Sequence, residues 1–251
     1  MTLNNLLKVK DLLTIITITK NNDYELINTL NSISNQELLP YEVIVKDGNK
    51  REKPEFLKEF SFQIKYISEE DKGIYDAMNH CISLTKTTFL LFLNSGDILE
   101  KNSLNFFLEE VTQFHNKNSR LPEIIFFKWR YYNNKKVFSP SLSRLRFNHQ
   151  SVIYKSSLHN KFGNYISLRS FSAADYLFFR YITLSDNLEI ILSDKIISLV
   201  DENGISSSLK TLLTVISIDY IFGVSSRLFL ASVAILHPFY HKIKKIIKKF
   251  L

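Results

Sequence analysis

Polar side chains follow each of the first four strands that the sequence predicts. The predicted strands are apolar or β-branched runs at residues 12–19, 42–46, 63–67 and 89–93. Thr19 and Asn21 follow the first run, Asp47 the second, residues 71–79 the third and Asp97 the fourth. Because ligands bind outside the carboxyl ends of parallel strands, we expect these carboxylate, amide and hydroxyl groups to form one site.

The residue types at this edge indicate phosphate chemistry assisted by a metal. An aspartate at a strand end suits a hard cation, Mg²⁺ or Mn²⁺, that stays partly hydrated and bridges to substrate phosphates. The sequence has neither a P-loop nor a Gly-x-Gly-x-x-Gly fingerprint, which excludes the common triphosphatase and dinucleotide-binding classes. The reaction that these groups favour is departure of a nucleoside diphosphate, with the cation neutralising the charge that develops.

Glycine is scarce, and three of the six glycines lie in these loops. Gly48 and Gly96 each lie beside an aspartate just past a predicted strand, and Gly73 precedes a predicted helix. Glycine is needed where φ is positive or where a ligand approaches the backbone. Their placement therefore supports a binding edge, although Asp47-Gly48 is also a common turn pair.

The order of elements predicts an α/β fold. Helical periodicity at residues 24–34, 74–84 and 103–114 alternates with the four strands, and Asp23 is the predicted N-cap of the first helix. This order predicts a doubly wound, mainly parallel sheet flanked by helices. The second half predicts strands at 124–132, 137–139, 150–154 and 190–200 and a helix at 173–182.

Composition and charge exclude several classes of protein. The chain has 251 residues, of which 45% are hydrophobic and 23% charged, as in soluble globular proteins. Its one cysteine, Cys81, allows neither an intrachain disulfide nor a zinc cluster. The apolar run at 12–19 is too short for a signal peptide, so we expect a cytoplasmic protein.

The net charge of +7 belongs to the end of the chain. Residues 1–209 hold 25 of the 32 basic residues and 24 of the 25 acidic ones, so the body is nearly neutral. A nucleic-acid-binding protein is expected to carry a basic stripe on its folded body. Nucleic acid is therefore not an expected partner.

Several of these segments resemble a known family. They are TIITITKNN, TLNSISNQ, VIVKDGN, EEDKGIYDAMNHCI and FLLFLNSGD, followed by NHQSVIY and SAADYLFFR. Together they look like the family-2 glycosyltransferases of the GT-A fold, with the closest likeness to bacterial members that build O-antigen, capsule or exopolysaccharide. The resemblance runs from about residue 12 to residue 206.

The resemblance implies roles for individual residues. Thr19 would lie against the base or ribose of a nucleotide-sugar, and Asp47 would hydrogen-bond the base, commonly uracil. The implied donor-binding residues are Thr19, Asn21, Asp47, Lys72, Asp76, Asn79 and Asn94. Lys50-Arg51-Glu52 departs from the Ser-x-Asp turn that is frequent in the family after the Asp-Gly pair, which leaves the base preference open.

The resemblance also implies a metal ligand and a base. The family's Asp-x-Asp metal motif reads Asn94-Ser95-Gly96-Asp97 here, so Asp97 would hold the divalent cation with one carboxylate instead of two. Asp175 matches the general base of the inverting members. His149 and Gln150 would contact donor or acceptor.

Each of these roles has a structural alternative. Asp97 could cap the helix that follows it, and Asp175 could be a solvated charge on a helix. His149, just before a predicted strand, could be a hydrogen-bonded structural residue. The sequence alone leaves these alternatives open.

The last forty residues predict a membrane-associating tail. Residues 212–236 are apolar but contain Asp219 and Arg227, and each charge costs about 2.5–3.5 kcal/mol at a bilayer centre. The sequence favours a segment that lies on the membrane and leaves a spanning helix as the alternative. After Pro238 five apolar residues share one helical face and five lysines occupy the other. That is the pattern of an interfacial helix on anionic lipid.

These observations predict a glycosyltransferase domain at residues 1–208 and a basic tail at 209–251. Residues 12–100 would bind the nucleotide-sugar and 120–206 the acceptor. We expect an inverting enzyme on the inner face of the plasma membrane that transfers a hexosyl or N-acetylhexosaminyl group from a nucleotide-sugar, with a UDP-sugar as the expected donor, to a lipid-linked saccharide. The alternative is a catalytically silent, membrane-associated assembly protein on the same fold.

Overall fold

The computed structural model describes residues 8–132, 134–184, 188–201 and 208–226, together with residues 229 and 232. The strands within these ranges are β1 (Leu13–Thr19), β2 (Glu42–Asp47), β3 (Ile64–Ser68), β4 (Phe89–Phe92), β5 (Ile98–Leu99), β6 (Ile124–Tyr131), β7 (Asn134–Phe138), β8 (Val152–Lys155) and β9 (Ile190–Val200). The helices are α1 (Val9–Leu12), α2 (Asp23–Ser34), α3 (Ile74–Leu84), α4 (Ser103–Asn118), α5 (Ser157–Phe162), α6 (Ala174–Thr183) and α7 (Leu209–Ile221). Short 3₁₀ turns lie at Glu55–Glu59 and His149–Ser151.

The strands form one sheet in the order β3-β2-β1-β4-β8-β6-β9-β5, and β7 pairs with β6. The first four strands are parallel, as is the β6–β9 pair. β8 joins the two halves, since it runs antiparallel to both β4 and β6. The predicted α/β architecture, a mainly parallel sheet flanked by helices, is confirmed.

Alternating side chains on the strands explain the two layers of core. Leu13 and Ile15 of β1 pack into the cluster that contains the apolar faces of α2 and α4. Ile16, on the opposite face, packs into the cluster that contains α3 and α6. Because both faces are covered, the parallel strands are almost wholly apolar, which is why they appear in the sequence as continuous apolar runs.

Most predicted elements agree with the structure to within a few residues, and two local predictions were wrong. Asn22, not Asp23, caps α2, because its side-chain oxygen accepts the Glu25 N–H at 3.2 Å. Asp23 is instead bound by the guanidinium of Arg51. The strand predicted to begin at residue 150 begins at Val152, because the preceding residues form a 3₁₀ turn.

The apolar segment after residue 208 begins as a short helix. α7 is 13 residues long, and its chain turns at Gly223, which has a φ of +73°. Among the residues that the structure describes, no helix is long and apolar enough to cross a bilayer. The lysine-rich segment predicted after Pro238 lies outside the described residues.

Candidate active site

A cavity of about 1360 Å³ lies beside the loops that follow β3 and β4. The first turns of α3, α6 and α7 also line it. The cavity brings together seven of the residues that the sequence predicts for a site: Lys72, Asp76, Asn94, Asp97, His149, Gln150 and Asp175. Its lining does not include Thr19, Asn21, Asp47 or Asn79.

Asp97 is a buried carboxyl group in this cavity, with 8% of the residue exposed. Burial raises the pKa of Asp97 from its ordinary value of 3.8 to about 7, although hydrogen bonds from the Asp201 backbone and the Gln150 side chain oppose the rise. At neutral pH Asp97 therefore exchanges between neutral and charged forms, and a bound cation would favour the charged one. The helix-cap alternative for Asp97 is wrong, because Asn102 occupies the N-cap position of α4.

Two buried oxygen atoms without partners belong to the same loop as Asp97. Asn94 Oδ1 and Ser95 Oγ are both buried and accept or donate no hydrogen bond within the described part of the chain. Gly96 gives this loop its shape, since its φ is +96° and its N–H donates to Thr29 Oγ1 at 3.0 Å. In the described ranges no three His, Cys, Asp or Glu side chains form a metal cluster, so any cation here would depend on one carboxylate and on ligand oxygens.

Asp175 lies in the first turn of α6 and is held by two aromatic side chains. The Tyr75 hydroxyl donates to Asp175 Oδ1 at 2.7 Å, and His149 Nδ1 lies 3.7 Å from Asp175 Oδ2. The Asp175 side chain is 23% exposed. Burial lowers the pKa of His149 below its ordinary 6.5, while the charge of Asp175 opposes this. The imidazole is therefore neutral at pH 7, and its contact with Asp175 is not an ion pair.

A series of buried, hydrogen-bonded side chains begins at His149. His149 Nε2 lies 3.2 Å from the Tyr165 hydroxyl, which lies 2.6 Å from the Tyr154 hydroxyl. Tyr154 in turn lies 3.0 Å from His159 Nε2, and His159 Nδ1 lies 3.1 Å from the Gly163 carbonyl. Burial lowers the pKa of His159 to about 4. Both imidazoles are thus neutral members of one hydrogen-bonded network, which fixes the ring beside Asp175.

Asp47 is completely buried and fully hydrogen-bonded. Its Oδ1 accepts the backbone N–H groups of Asn21 and Asn49, at 3.4 and 3.0 Å. Its Oδ2 accepts Arg51 Nε at 2.6 Å and the Tyr66 hydroxyl at 3.2 Å. Thr19, on the neighbouring strand, keeps a buried Oγ1 without a partner among the described residues. The role of Asp47 and Thr19 in base binding stays a prediction, and in this structure Arg51 covers the carboxylate.

The Asp76 side chain and the Lys72 backbone, on either side of Gly73, organise the start of α3. Asp76 Oδ2 accepts the Lys72 N–H at 3.0 Å, so Asp76 closes the turn that leads into the helix.

At the end of β2, a Cβ on Gly48 would lie 2.6 Å from Asp71 Oδ2. Gly48 therefore lies against the Asp71 side chain, and a larger residue at this position would require the Asp71 carboxylate to move.

Asn79 connects α3 to the chain near α6. Its Nδ2 donates to the Tyr165 carbonyl at 2.8 Å, and its Oδ1 accepts the Tyr165 N–H at 3.0 Å. Both polar ends of the side chain are therefore used within the protein. This arrangement gives Asn79 a structural role, whereas its predicted contact with the donor is untested.

We expect Asn79→Ala to lower the free energy of unfolding by about 2–3 kcal/mol, because two hydrogen bonds are lost and two backbone groups of Tyr165 lose their partners. Urea denaturation measures this change. The matched control is Asn105→Ala, which removes one exposed bond to Glu37 and should cost less than about 1 kcal/mol. Unchanged stability in Asn79→Ala, with a weakened affinity for nucleotide, would assign Asn79 to the donor instead.

Sequence reasoning missed several residues that line the cavity or support it. Tyr75 lies within the EEDKGIYDAMNHCI segment, so its place in that motif was an available signal. Glu25, Tyr132 and Asp201 also line the cavity, and no local pattern marks them. Tyr165 had no signal either, because its contacts with Asn79 and His149 join residues far apart in the chain.

The sequence model for Glycosyl transferase family 2 matches residues 14–177. The chain belongs to this family. The match begins in β1 and ends in α6, so it includes both Asp97 and Asp175. It confirms the family-2 resemblance, while the likeness to O-antigen and capsule enzymes stays a prediction. No curated protein matches the sequence significantly.

Solved structures share the fold of this family-2 chain at low sequence identity. TarS of S. aureus superposes with a TM-score of 0.61 at 18% identity, over 88% of this chain and 41% of that one. A shorter form, TarS 1-349 in complex with UDP, gives 0.59 at 18% identity over 88% and 68%. The mannosyltransferase PcManGT from Pyrobaculum calidifontis, in complex with GDP-Man and Mn²⁺, gives 0.61 at 11% identity over 86% and 65%. The chain thus spans less than half the length of full TarS.

Proposed function

We propose that this protein is an inverting glycosyltransferase that moves a sugar from a nucleotide-sugar, most simply a UDP-sugar, to a hydroxyl group of a lipid-linked saccharide. The observation that carries the proposal is that Asp97 and Asp175, from the two halves of the fold, line one cavity. Asp97 can hold a cation against the leaving diphosphate, while Asp175 can accept the proton of the attacking hydroxyl. In-line displacement at an anomeric carbon needs these two functions on opposite sides of the sugar.

Asp175 is the general base in this proposal. Its Oδ1 is held by Tyr75, and the neutral ring of His149 lies beside Oδ2. These contacts fix the carboxylate while a quarter or so of its surface stays open to the cavity. Proton acceptance by Asp175 would raise the nucleophilicity of the acceptor oxygen as it attacks.

A divalent cation fits the residues around Asp97. Asp97 supplies a buried carboxylate, and its loop also holds the unpartnered Asn94 Oδ1 and Ser95 Oγ. Such oxygen ligands are those that Mg²⁺ and Mn²⁺ prefer. When bound, the cation would neutralise charge on the departing diphosphate. Asp97 would hold it, and the remaining ligand positions would fall to the diphosphate and water.

The choice of donor rests on fold relatives. TarS 1-349 has been solved in complex with UDP and with UDP-GlcNAc, and PcManGT in complex with GDP-Man and Mn²⁺. All three ligands are nucleoside diphosphates or their sugars. A nucleoside-diphosphate sugar is therefore the donor class that we propose, and UDP is the first nucleotide to test.

A thermal-shift screen of nucleotide-sugars, with and without Mn²⁺, tests the proposal. A ligand that binds only the folded state raises Tm. At a free ligand concentration of 100 times its Kd, binding adds about 2.7 kcal/mol to the free energy of unfolding. We expect one or more nucleotide-sugars to raise Tm in the presence of Mn²⁺, and the same compound to be hydrolysed slowly to the free sugar. A protein that binds none of them would be the catalytically silent assembly protein.

We also propose that residues 238–251 hold the enzyme on the inner face of the plasma membrane. The sequence places five lysines opposite an apolar face there, and each lysine near an anionic surface contributes about 1 kcal/mol.

Replacing those five lysines by glutamine is therefore expected to move most of the protein from the membrane to the soluble fraction, as measured by sedimentation with vesicles containing phosphatidylglycerol. Replacing five surface lysines of the body, Lys50, Lys53, Lys58, Lys101 and Lys117, is the matched control and should leave sedimentation unchanged. If the tail variant still sediments with the vesicles after a carbonate wash, the proposal that the lysines attach the protein to the membrane is wrong.

A further inference from the structure

α7 is attached to the same helix that carries Asp175. The Arg180 side chain, 3% exposed, pairs with Asp219 of α7 at 2.7 Å. The Tyr176 hydroxyl donates to the same carboxylate at 2.8 Å and accepts Arg180 Nη2 at 2.8 Å. At the other end of α7, Thr211 Oγ1 lies 2.7 Å from Ser172 Oγ. A buried ion pair fixes the geometry of the helices that it joins, because breaking it leaves a charge without its partner.

This attachment makes α7 a wall of the catalytic cavity. Thr211, Leu212 and Val215 line the cavity together with Asp175. Thr211 and Val215 are four residues apart and therefore lie on one face of the helix. α7 is thus part of the active-site unit and not only the start of a membrane tail.

The part of the cavity beside α7 is apolar and exposed. Leu212 and Leu168 both line it and are 37% and 63% exposed. Val215 and Phe171 continue the same lining. Large apolar side chains that are grouped and open to solvent indicate a binding surface, because leaving them exposed has a cost in water.

A positively charged side chain belongs to the same segment as this apolar surface. Arg169 is exposed, lines the cavity and has no hydrogen-bond or ion-pair partner within the described ranges. An unpaired guanidinium matches a phosphate group. An apolar surface with a guanidinium at its side therefore fits a molecule that carries a hydrocarbon chain on a phosphate.

We propose that α7 and the segment at 168–171 bind the lipid phosphate portion of the acceptor, with the chain along Leu168, Leu212 and Val215 and the phosphate at Arg169. The inference rests on the proposed function, because it assigns the acceptor side of that reaction. The saccharide end of such an acceptor would then lie toward Asp175.

Titration calorimetry with n-decyl phosphate, below its critical micelle concentration, tests the inference on the full chain. Methyl phosphate is the comparison ligand because it has the same headgroup without the chain. We expect decyl phosphate to bind the wild type at least tenfold more tightly than methyl phosphate. Equal affinity for the two would overturn the inference.

Matched variants locate the binding site. Leu212→Gln is expected to weaken the binding of decyl phosphate about tenfold. The control is Ile221→Gln on the same helix, which should leave this affinity unchanged because Ile221 is 76% exposed and lies outside the lining. Arg169→Gln should also weaken the binding of decyl phosphate about tenfold. Arg144→Gln should not, because Arg144 is exposed and lies outside the lining. If Leu212→Gln binds like the wild type, the chain binds elsewhere, such as at the lysine-rich tail, and the inference is wrong.

Failure of this inference and failure of the proposed function can be told apart. Binding and hydrolysis of the nucleotide-sugar by the wild type test the function and need no lipid. A protein that binds a nucleotide-sugar but does not prefer decyl phosphate keeps its function and lacks the lipid site.

Discussion

Asp175→Asn is expected to lower kcat for glycosyl transfer by about 10²–10⁴, the usual contribution of a general base. Asparagine has the same shape, so it keeps the hydrogen bond from Tyr75, but it cannot accept the proton of the acceptor hydroxyl. The affinity for donor nucleotide should stay within about threefold, because the diphosphate is assigned to the Asp97 side of the cavity. Steady-state transfer kinetics and nucleotide titration measure the two quantities.

The control for Asp175 is Asp194→Asn, which removes an exposed carboxylate of β9 outside the cavity lining and should leave kcat unchanged. Tyr75→Phe provides an intermediate case, because it removes the hydroxyl that holds Asp175 Oδ1 but keeps the base. We expect a smaller loss of kcat than in Asp175→Asn. A normal kcat with a raised donor KM in Asp175→Asn would mean that Asp175 binds the donor.

Asp97→Asn is expected to abolish Mn²⁺-dependent nucleotide binding and transfer while making the protein more stable. Burial raises the pKa of Asp97 to about 7 in the folded state, against an ordinary 3.8. The unfolded chain therefore releases this proton first as the pH rises, so the wild type loses stability between about pH 4 and pH 7. Asparagine removes the cost of the buried charge, about 2–4 kcal/mol at pH 8.

The pH dependence separates this explanation from other effects of the substitution. In a chelator, the difference in free energy of unfolding between Asp97→Asn and the wild type should grow from pH 4 to pH 7 and then stay constant. Adding Mn²⁺ with UDP should stabilise only the wild type, and its effect should weaken below pH 7 as protons compete for Asp97. An equal stability difference at pH 4 and pH 8 would contradict the assignment.

Local sequence patterns predicted the four parallel strands, the helices between them and the edge of the sheet that carries the site, but not the short elements α1, β5 and α5. Uninterrupted apolar runs predict buried parallel strands because helices cover both faces of such a sheet. The carboxyl ends of those strands lie at one edge, and this brings Asn94 and Asp97 close to the start of α3. Asp175 required the family resemblance, because nothing in the residues around it distinguishes a base from a solvated charge.

Only the tertiary structure decided how these groups are held and what they can do. The pKa of Asp97 depends on burial and on Asp201 and Gln150, which no local pattern connects to it. The resemblance assigns Asp47 to the nucleotide base, and only the structure shows that Arg51 and Tyr66 donate hydrogen bonds to its carboxylate. Asp219, which reads in the sequence as a charge interrupting an apolar segment, pairs with Arg180 and makes α7 a wall of the cavity. Propensity and periodicity act over a few residues, whereas desolvation and ion pairing depend on contacts between residues far apart in the chain.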